Sequence, residues 1–507
     1  MKYKTILKSL VFVCLANSAL AQNSVDLTAI DKIKKEGFQN SKIMEYAFYL
    51  TDVNGPRLSN SPGLKRSQDW AVSLLKGWGL NNVALEPWGN FGQGWEIERS
   101  YVAMTVPYYH NMIAIPRAWS GGTNGPLKSN VVLLKADTSE VIKMHGQLKG
   151  KVVILDVRDT IETNFKADAT RFVPEDITAM EALAPAKKAN PAIAIKTRIT
   201  RARLNELLSA EQVGLLLTLG KGKHGTIFTS NGASYSLDAK PAIAELEVSA
   251  EDYLRIIRLV KSGNKVEVEA DIKTKFFKED EKGYNVIAEI PGTDSSLKNE
   301  VVMLGAHLDS WHGATGATDN ASGVSVMMEA MRIIKTLGLS PKRTIRLALW
   351  SSEEQGLYGS KGYVAKHFGD ATIMKLKPEQ KFISAYYNLD NGAGRIRGIY
   401  LQSNPAVKPI FEEWLKPLND LGALYAINRN AGSTDHISFD ALGIPGFEFS
   451  QDRLEYFTRT HHTNQDTYDR LIANDLKQAA VVVAAFIYNT AQYSEKLPRK
   501  EFTKSQK

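Results

Sequence analysis

The chain has 507 residues, 23% charged and 43% hydrophobic, an ordinary globular balance that predicts two or three domains, each with its own core. Its formal charge of +8 includes three leader lysines; removing them from the 63 basic residues leaves 60 against 55 acidic, or +5. That mild excess is dispersed apart from 196–203 and 496–507, with no interleaved stacking aromatics, which argues against a nucleic-acid partner.

Residues 1–21 read as a secretory signal peptide: Lys2, Lys4 and Lys8 precede the apolar run Leu10 to Leu15, and Ala19-Leu20-Ala21 offers the cleavage site. Cys14, the single cysteine, lies in this leader, so the mature chain is expected to have no disulfide and no thiolate ligand. Export without disulfides fits a bacterial periplasm or exterior better than a eukaryotic extracellular domain. No later segment suggests a membrane span.

From Val25 to Leu80 the pattern is helical, interrupted by the turn-rich loop Asn54 to Leu64. Strands are expected around Tyr101 to Ile115. Short strands at Val131–Leu134, Lys151–Val157, Val213–Leu219 and Pro241–Val248, with helices at Arg201–Leu208 and Ala250–Val260, read as an inserted, mostly-β domain over 130–275. It interrupts a first part, 22–129, and a second part, 276–495, and a basic, disordered tail is expected over 496–507. After the charged linker Phe277 to Lys282, strands and helices alternate: strands at Tyr284–Ile290, Val301–Ala306, Thr344–Trp350, Phe382–Asp390 and Gly446–Phe449, and helices at Ser322–Leu337, Gln355–His367, Ala406–Leu421 and from Arg470 to Tyr493. This order predicts an α/β fold, a mixed central sheet with helices on both faces.

Polar groups gather where those strands end. His307, Asp309 and Asp319 follow the run VVMLGA; Glu353 and Glu354 follow Thr344–Trp350; Asp390 ends its strand; His461, His462 and Asp466 follow the last strand. The C-terminal edge of such a sheet is where ligands sit. Six of the nine histidines lie between His307 and His462. Imidazoles and carboxylates without thiols suit a borderline divalent ion such as zinc. Two ions need a bridging carboxylate, two terminal ligands each and a carboxylate base beside them, and the set is large enough. Read alone, Glu353-Glu354 would equally be the solvated first turn of a helix.

The motifs HLDSW at His307, ATDNASG at Asp319, WSSEEQG through Glu353 and Glu354, NLDNGAG at Asp390, GSTDHISF at Asp435 and HHTNQDT at His462, in one order, resemble the di-zinc aminopeptidases of family M28. The similarity is to the carboxypeptidase Q branch, whose members carry an inserted protease-associated domain; LKGKVVILDVR matches its core strand. The resemblance implies that His307 and Asp390 hold one zinc, Glu354 and His462 another, and Asp319 bridges them, giving two zinc ions per subunit. It makes Glu353 the general base and has Asp309 orient His307. His461, Asp435, His436 and Asp466 are supporting or substrate-facing candidates, His436 as a donor to the oxyanion against an ordinary structural histidine. His312 is expected to line the pocket or face solvent. The implied activity is a secreted exopeptidase, an aminopeptidase or dipeptidase acting on short peptides or dipeptides with a free N-terminus; a homodimer is left open. The alternatives are a glutaminyl cyclase-type acyltransferase and a non-catalytic receptor-like relative.

Overall fold

The computed structural model describes residues 25–135, 137–157, 160–182, 191–240 and 242–500, without the side chains of 191–200. The expected signal peptide, Cys14 included, and residues 501–507 lie outside the described residues.

One eight-stranded sheet carries the core. Its strands are β1 (Asn81–Asn90), β2 (Lys282–Ile290), β3 (Val301–His307), β4 (Thr344–Trp350), β5 (Ile383–Asn388), β6 (Ile396–Tyr400), β7 (Tyr425–Ile427) and β8 (Gly446–Gln451), in spatial order β1-β2-β4-β3-β5-β8-β6-β7. The four central strands β4, β3, β5 and β8 are mutually parallel, and β1, β2 and β6 add antiparallel neighbours, which makes the sheet mixed. Strand alternation divides the burial between two faces. Val302, Leu304, Ala306, Leu347 and Leu349 face one core, whereas Val301, Met303, Ala348 and Trp350 face the other. Helices α1 (Leu27–Gln39), α2 (Ser322–Thr336), α4 (Lys408–Leu415) and α5 (Ala473–Gln492) cover the first face; α3 (Tyr358–His367) covers the second. Helix α5 is apolar around its circumference and buried along its length, as a helix wedged between layers requires. The methionines of α2 fill the same core.

A second eight-stranded sheet is built from residues between Gly94 and Phe277, with helices Pro174–Ala182, Pro191–Ala210 and Ala250–Lys261. Its long antiparallel pair, Gly94–Val106 against Glu267–Phe277, begins well before Asn130, and Asn130 itself lies inside strand Leu127–Lys135. The pairing joins segments far apart in sequence, which linear patterning does not report. The stretch read as a loose basic tail is packed as far as Lys500: Leu497 is buried, and Arg499 donates to the carbonyls of Gln380 and Ile383. No helix among the described residues is long and apolar enough to cross a membrane.

Candidate metal centre

Every central parallel strand delivers a polar group to the same edge. Strand β3 is buried throughout and ends on His307. The His307 Nδ1 lies 3.0 Å from the Asp309 carbonyl, which fixes Nδ1 as a donor and makes Nε2 the nitrogen that offers a lone pair in the neutral ring. That Nε2 faces Asp390 Oδ1 at 3.1 Å and Asp319 Oδ1 at 3.3 Å. On the other side, His462 Nε2 lies 2.9 Å from Glu354 Oε2 and 3.3 Å from Asp319 Oδ2. Asp319 therefore offers one oxygen to each imidazole.

Lone pairs and carboxylates at such distances repel unless positive charge lies between them. Burial alone would lower the His307 imidazole, but Asp390, Asp319 and Glu353 outweigh it and hold it well above its usual value, so that without an ion a proton on Nε2 supplies the positive charge these oxygens require. Burial, then the neighbouring carboxylates, push Glu353 and Glu354 well above the usual range. Asp319 goes the other way: burial is overcome by His307, His462 and His461, which hold it below. Asp319 Oδ2 and Glu354 Oε1 are buried without a hydrogen-bond donor. Donor atoms within 4.8 Å of one another come from His307, Glu353 and Asp390, from His307, Asp319 and Glu354, and from Asp319, His461 and His462. Buried, donor-starved carboxylates between two imidazole lone pairs fit divalent zinc, and the absence of thiolate keeps the set borderline rather than soft.

Asp309 touches His307 through its main-chain carbonyl, while its buried carboxylate accepts the Glu353 and Glu354 amides at 3.2 and 3.3 Å. It thus ties the β3 and β4 ends together. Asp466 accepts from the amides of Thr318 and Asp319 at 2.7 and 3.0 Å, so it clamps the turn that presents Asp319; burial, then Asp319, push it up to about 7. His461 stacks on His462 at 3.8 Å and lines the cleft. His436 is buried beneath the site, with Nε2 against Gln402 and the Ala431 carbonyl, and does not line the cleft. Its short helix turns the ring inward, away from any substrate carbonyl. Asp435 is likewise buried below the cleft, pushed up to about 7 by burial and by Asp390. His312 neither lines the cleft nor faces solvent: it is buried edge-on to Trp95, with Nε2 2.7 Å from the Pro116 carbonyl.

The cleft in front of these groups encloses about 480 Å³. Asp319, Glu353, Glu354 and Asp390 line it, together with Tyr456, Phe457, His461, His462 and the 432–434 turn; no lysine, arginine or residue of the second sheet does so among the described residues. Three contributors carried no clear sequence signal. Arg57 is fully buried and donates to the carbonyls of Leu308, Leu50, Thr315 and Gly316. Glu448 is buried in β8 and accepts the Asp390 amide at 2.7 Å. Tyr456 is buried beside the metal-site carboxylates; burial and those charges keep its hydroxyl protonated. A charged residue inside the apolar strand GFEFSQ was the one available hint, for Glu448.

An imidazole–carboxylate cluster at the C-terminal edge of a mixed α/β sheet, opening on a cleft, is the arrangement of a metal-dependent hydrolase. Residues 285–487 match the model of peptidase family M28, a likeness that supports a hydrolase. It is 28% identical to carboxypeptidase Q of Bos taurus over 95% of this chain and 90% of that protein, and 26% identical to the Homo sapiens protein over 96% of each. A crystal structure of a peptidase M28 precursor from Shewanella amazonensis SB2B superposes with a TM-score of 0.67 at 24% identity, covering 94% of this chain and 99% of that one. A zinc aminopeptidase from Bacillus subtilis gives 0.55 at 19% identity, covering 93% and 97%. These two likenesses concern the fold.

Proposed function

We propose that this chain is an exported zinc exopeptidase that removes N-terminal residues from short peptides or dipeptides. The observation that carries the reading is Asp319, whose two oxygens face two different imidazoles, each with its own second carboxylate. His307 and Asp390 would hold one zinc, Glu354 and His462 another, with Asp319 shared. When bound, the ions would supply Lewis acidity and lower the pKa of a nearby water.

Glu353 lines the cleft beside His307 and Asp390 and is the group placed to act on that water. Its carboxylate takes a proton as the water oxygen attacks the scissile carbonyl, then returns the proton to the departing amine as the C–N bond breaks. The protonated Tyr456 hydroxyl is the phenol donor in the cleft for the developing oxyanion, a role His436 is too deeply buried to fill. Carboxylates without a lysine or arginine partner in the lining favour recognition of a substrate's ammonium over its carboxylate, hence cleavage from the N-terminus. The second sheet's domain is read as the protease-associated insert, on the motif LKGKVVILDVR and the likeness to carboxypeptidase Q. Export rests on the leader sequence.

The test joins zinc analysis to turnover of dipeptides and aminoacyl anilides by wild type and Glu353→Ala. The expected result is two zinc ions in both proteins, a loss of about 10²- to 10⁴-fold in kcat for the variant, and no turnover of N-acetylated substrates. Full activity in the variant would remove Glu353 from the base role. One zinc per chain with cyclisation of N-terminal glutamine would favour the acyltransferase instead.

A further inference from the structure

We propose that Thr229, in the second sheet's domain, is a positioning residue for the zinc held by His462 and Glu354, so that the insert is part of the metal centre without touching substrate. The inference rests on the preceding reading of His462 as a ligand. His462 adopts φ +60°, the left-handed conformation that non-glycine residues rarely take. Its main-chain carbonyl accepts two hydrogen bonds, both from Thr229: the amide at 2.7 Å and the hydroxyl at 3.0 Å. Two residues on, Asn464 is held on three sides by the same segment. Its side-chain oxygen accepts the Ile227 amide at 2.7 Å, its side-chain nitrogen donates to the Gly225 carbonyl at 3.0 Å, and its amide donates to the Ile227 carbonyl at 3.1 Å.

These contacts bracket His462 and fix the peptide plane that follows it. That plane sets the direction in which the imidazole leaves the backbone. With the carbonyl released, the left-handed residue is free to relax toward the ordinary regions, and Nε2 leaves its 2.9 Å approach to Glu354. Packing on the far side shows how closely the segment is fitted. A Cβ at Gly313, in the loop that follows His307, would lie 2.4 Å from Thr229 Cγ2, so only glycine admits the threonine there. The stretch Gly220 to Thr226 leads into this clasp.

The experiment measures zinc retention in full-length protein by competition with a chromophoric chelator, alongside the spectrum of the cobalt(II)-substituted protein. Thr229→Val keeps shape and amide but loses the hydroxyl. It is expected to weaken one of the two ions about tenfold, leave the other unchanged, and alter the cobalt bands. Thr229→Ser should restore wild-type retention, and Asn464→Ala should weaken the same ion, which keeps the test available if the valine variant folds poorly. Tyr235→Phe cuts a different contact across the domain seam, a 3.0 Å bond to the Tyr358 hydroxyl, and should leave both ions as they were. Wild-type retention in both Thr229→Val and Asn464→Ala overturns the proposal, as does an equal loss in Tyr235→Phe. His462→Ala separates the two readings: if it keeps both ions at wild-type affinity, the ligand assignment itself fails, whereas loss of an ion there with none in the clasp variants defeats the clasp alone.

Discussion

Arg57 places a guanidinium beneath the carboxylate cluster with no solvent contact, and its hydrogen bonds go to four main-chain carbonyls. Burial lowers it to about 10, partly offset by Asp466, Asp309, Asp319 and Glu354, so it stays charged at neutral pH. Its bonds to Leu308, Thr315 and Gly316 hold the backbone on both sides of the loop that joins His307 to Asp319. Arg57→Met leaves those carbonyls dry and removes a cation that offsets the acidic cluster. It should destabilise the fold by about 3–5 kcal/mol, read as a fall in the urea midpoint. Arg57→Lys, with a single ammonium in place of the planar fork, should fall between. A wild-type midpoint for the methionine variant would show that the loop stands without its guanidinium.

At the scale of elements, α2 begins almost in contact with the end of β5. A Cβ at Gly323 would lie 2.3 Å from Asn320 Oδ1 and 2.5 Å from the Leu389 carbonyl. Asn320 is itself bonded to both neighbours, donating to Leu389 and accepting from the Gly323 amide. Gly323→Ala must therefore push the helix start away from the Asp390 loop, costing about 1–3 kcal/mol. Gly77, which meets nothing within 4 Å, is the contrast: Gly77→Ala should be neutral or stabilise by about 0.4–1 kcal/mol. Thermal unfolding of the two variants in opposite directions is the expected outcome; equal effects would contradict the close-approach argument.

The same elements explain what could be read beforehand. Asp319 and the four residues grouped around it were legible as candidates because each lies at the end of an apolar strand or in the loop that follows one, and strand ends in such a sheet share one edge. Strands β1, β6 and β7 were not read. The first is a half-exposed edge containing Pro87, and the others are only a few residues long, so none alternates strongly enough to stand out. Arg57 and Tyr456 gave no signal because their importance arises from contacts between segments hundreds of residues apart or from loop geometry, neither of which periodicity reports. The roles of Asp309 and Asp466 depend on which oxygen meets which amide, a matter of three-dimensional direction.

Across the whole molecule, the two sheets meet in an aromatic seam that includes Trp95, Trp119 and Trp311, and His312 is embedded beside it. Burial lowers this imidazole to about 4, against an ordinary value near 6.5. The unfolded chain therefore binds a proton before the folded one does. Stability is full above pH 6.5 and declines as pH falls toward 4, by about 3 kcal/mol from this residue. His312→Gln should remove that slope, measured as the change in urea midpoint between pH 7 and pH 4.5 relative to wild type. Parallel pH profiles for the two proteins would show that the seam does not sense the proton.

Helix α5 packs against both α1 and α2, and Gly37 of α1 comes so near that an added Cβ would meet Val481 at 2.4 Å. The first helix of the described chain therefore completes its burial against the last. During synthesis, which proceeds from the N-terminus, the part of the α1 face that packs on α5 has no partner until more than 400 intervening residues have been made. The acids and imidazoles of the centre are also all translated before α5. Truncation within α5 would leave the core on the first face of the central sheet unsealed.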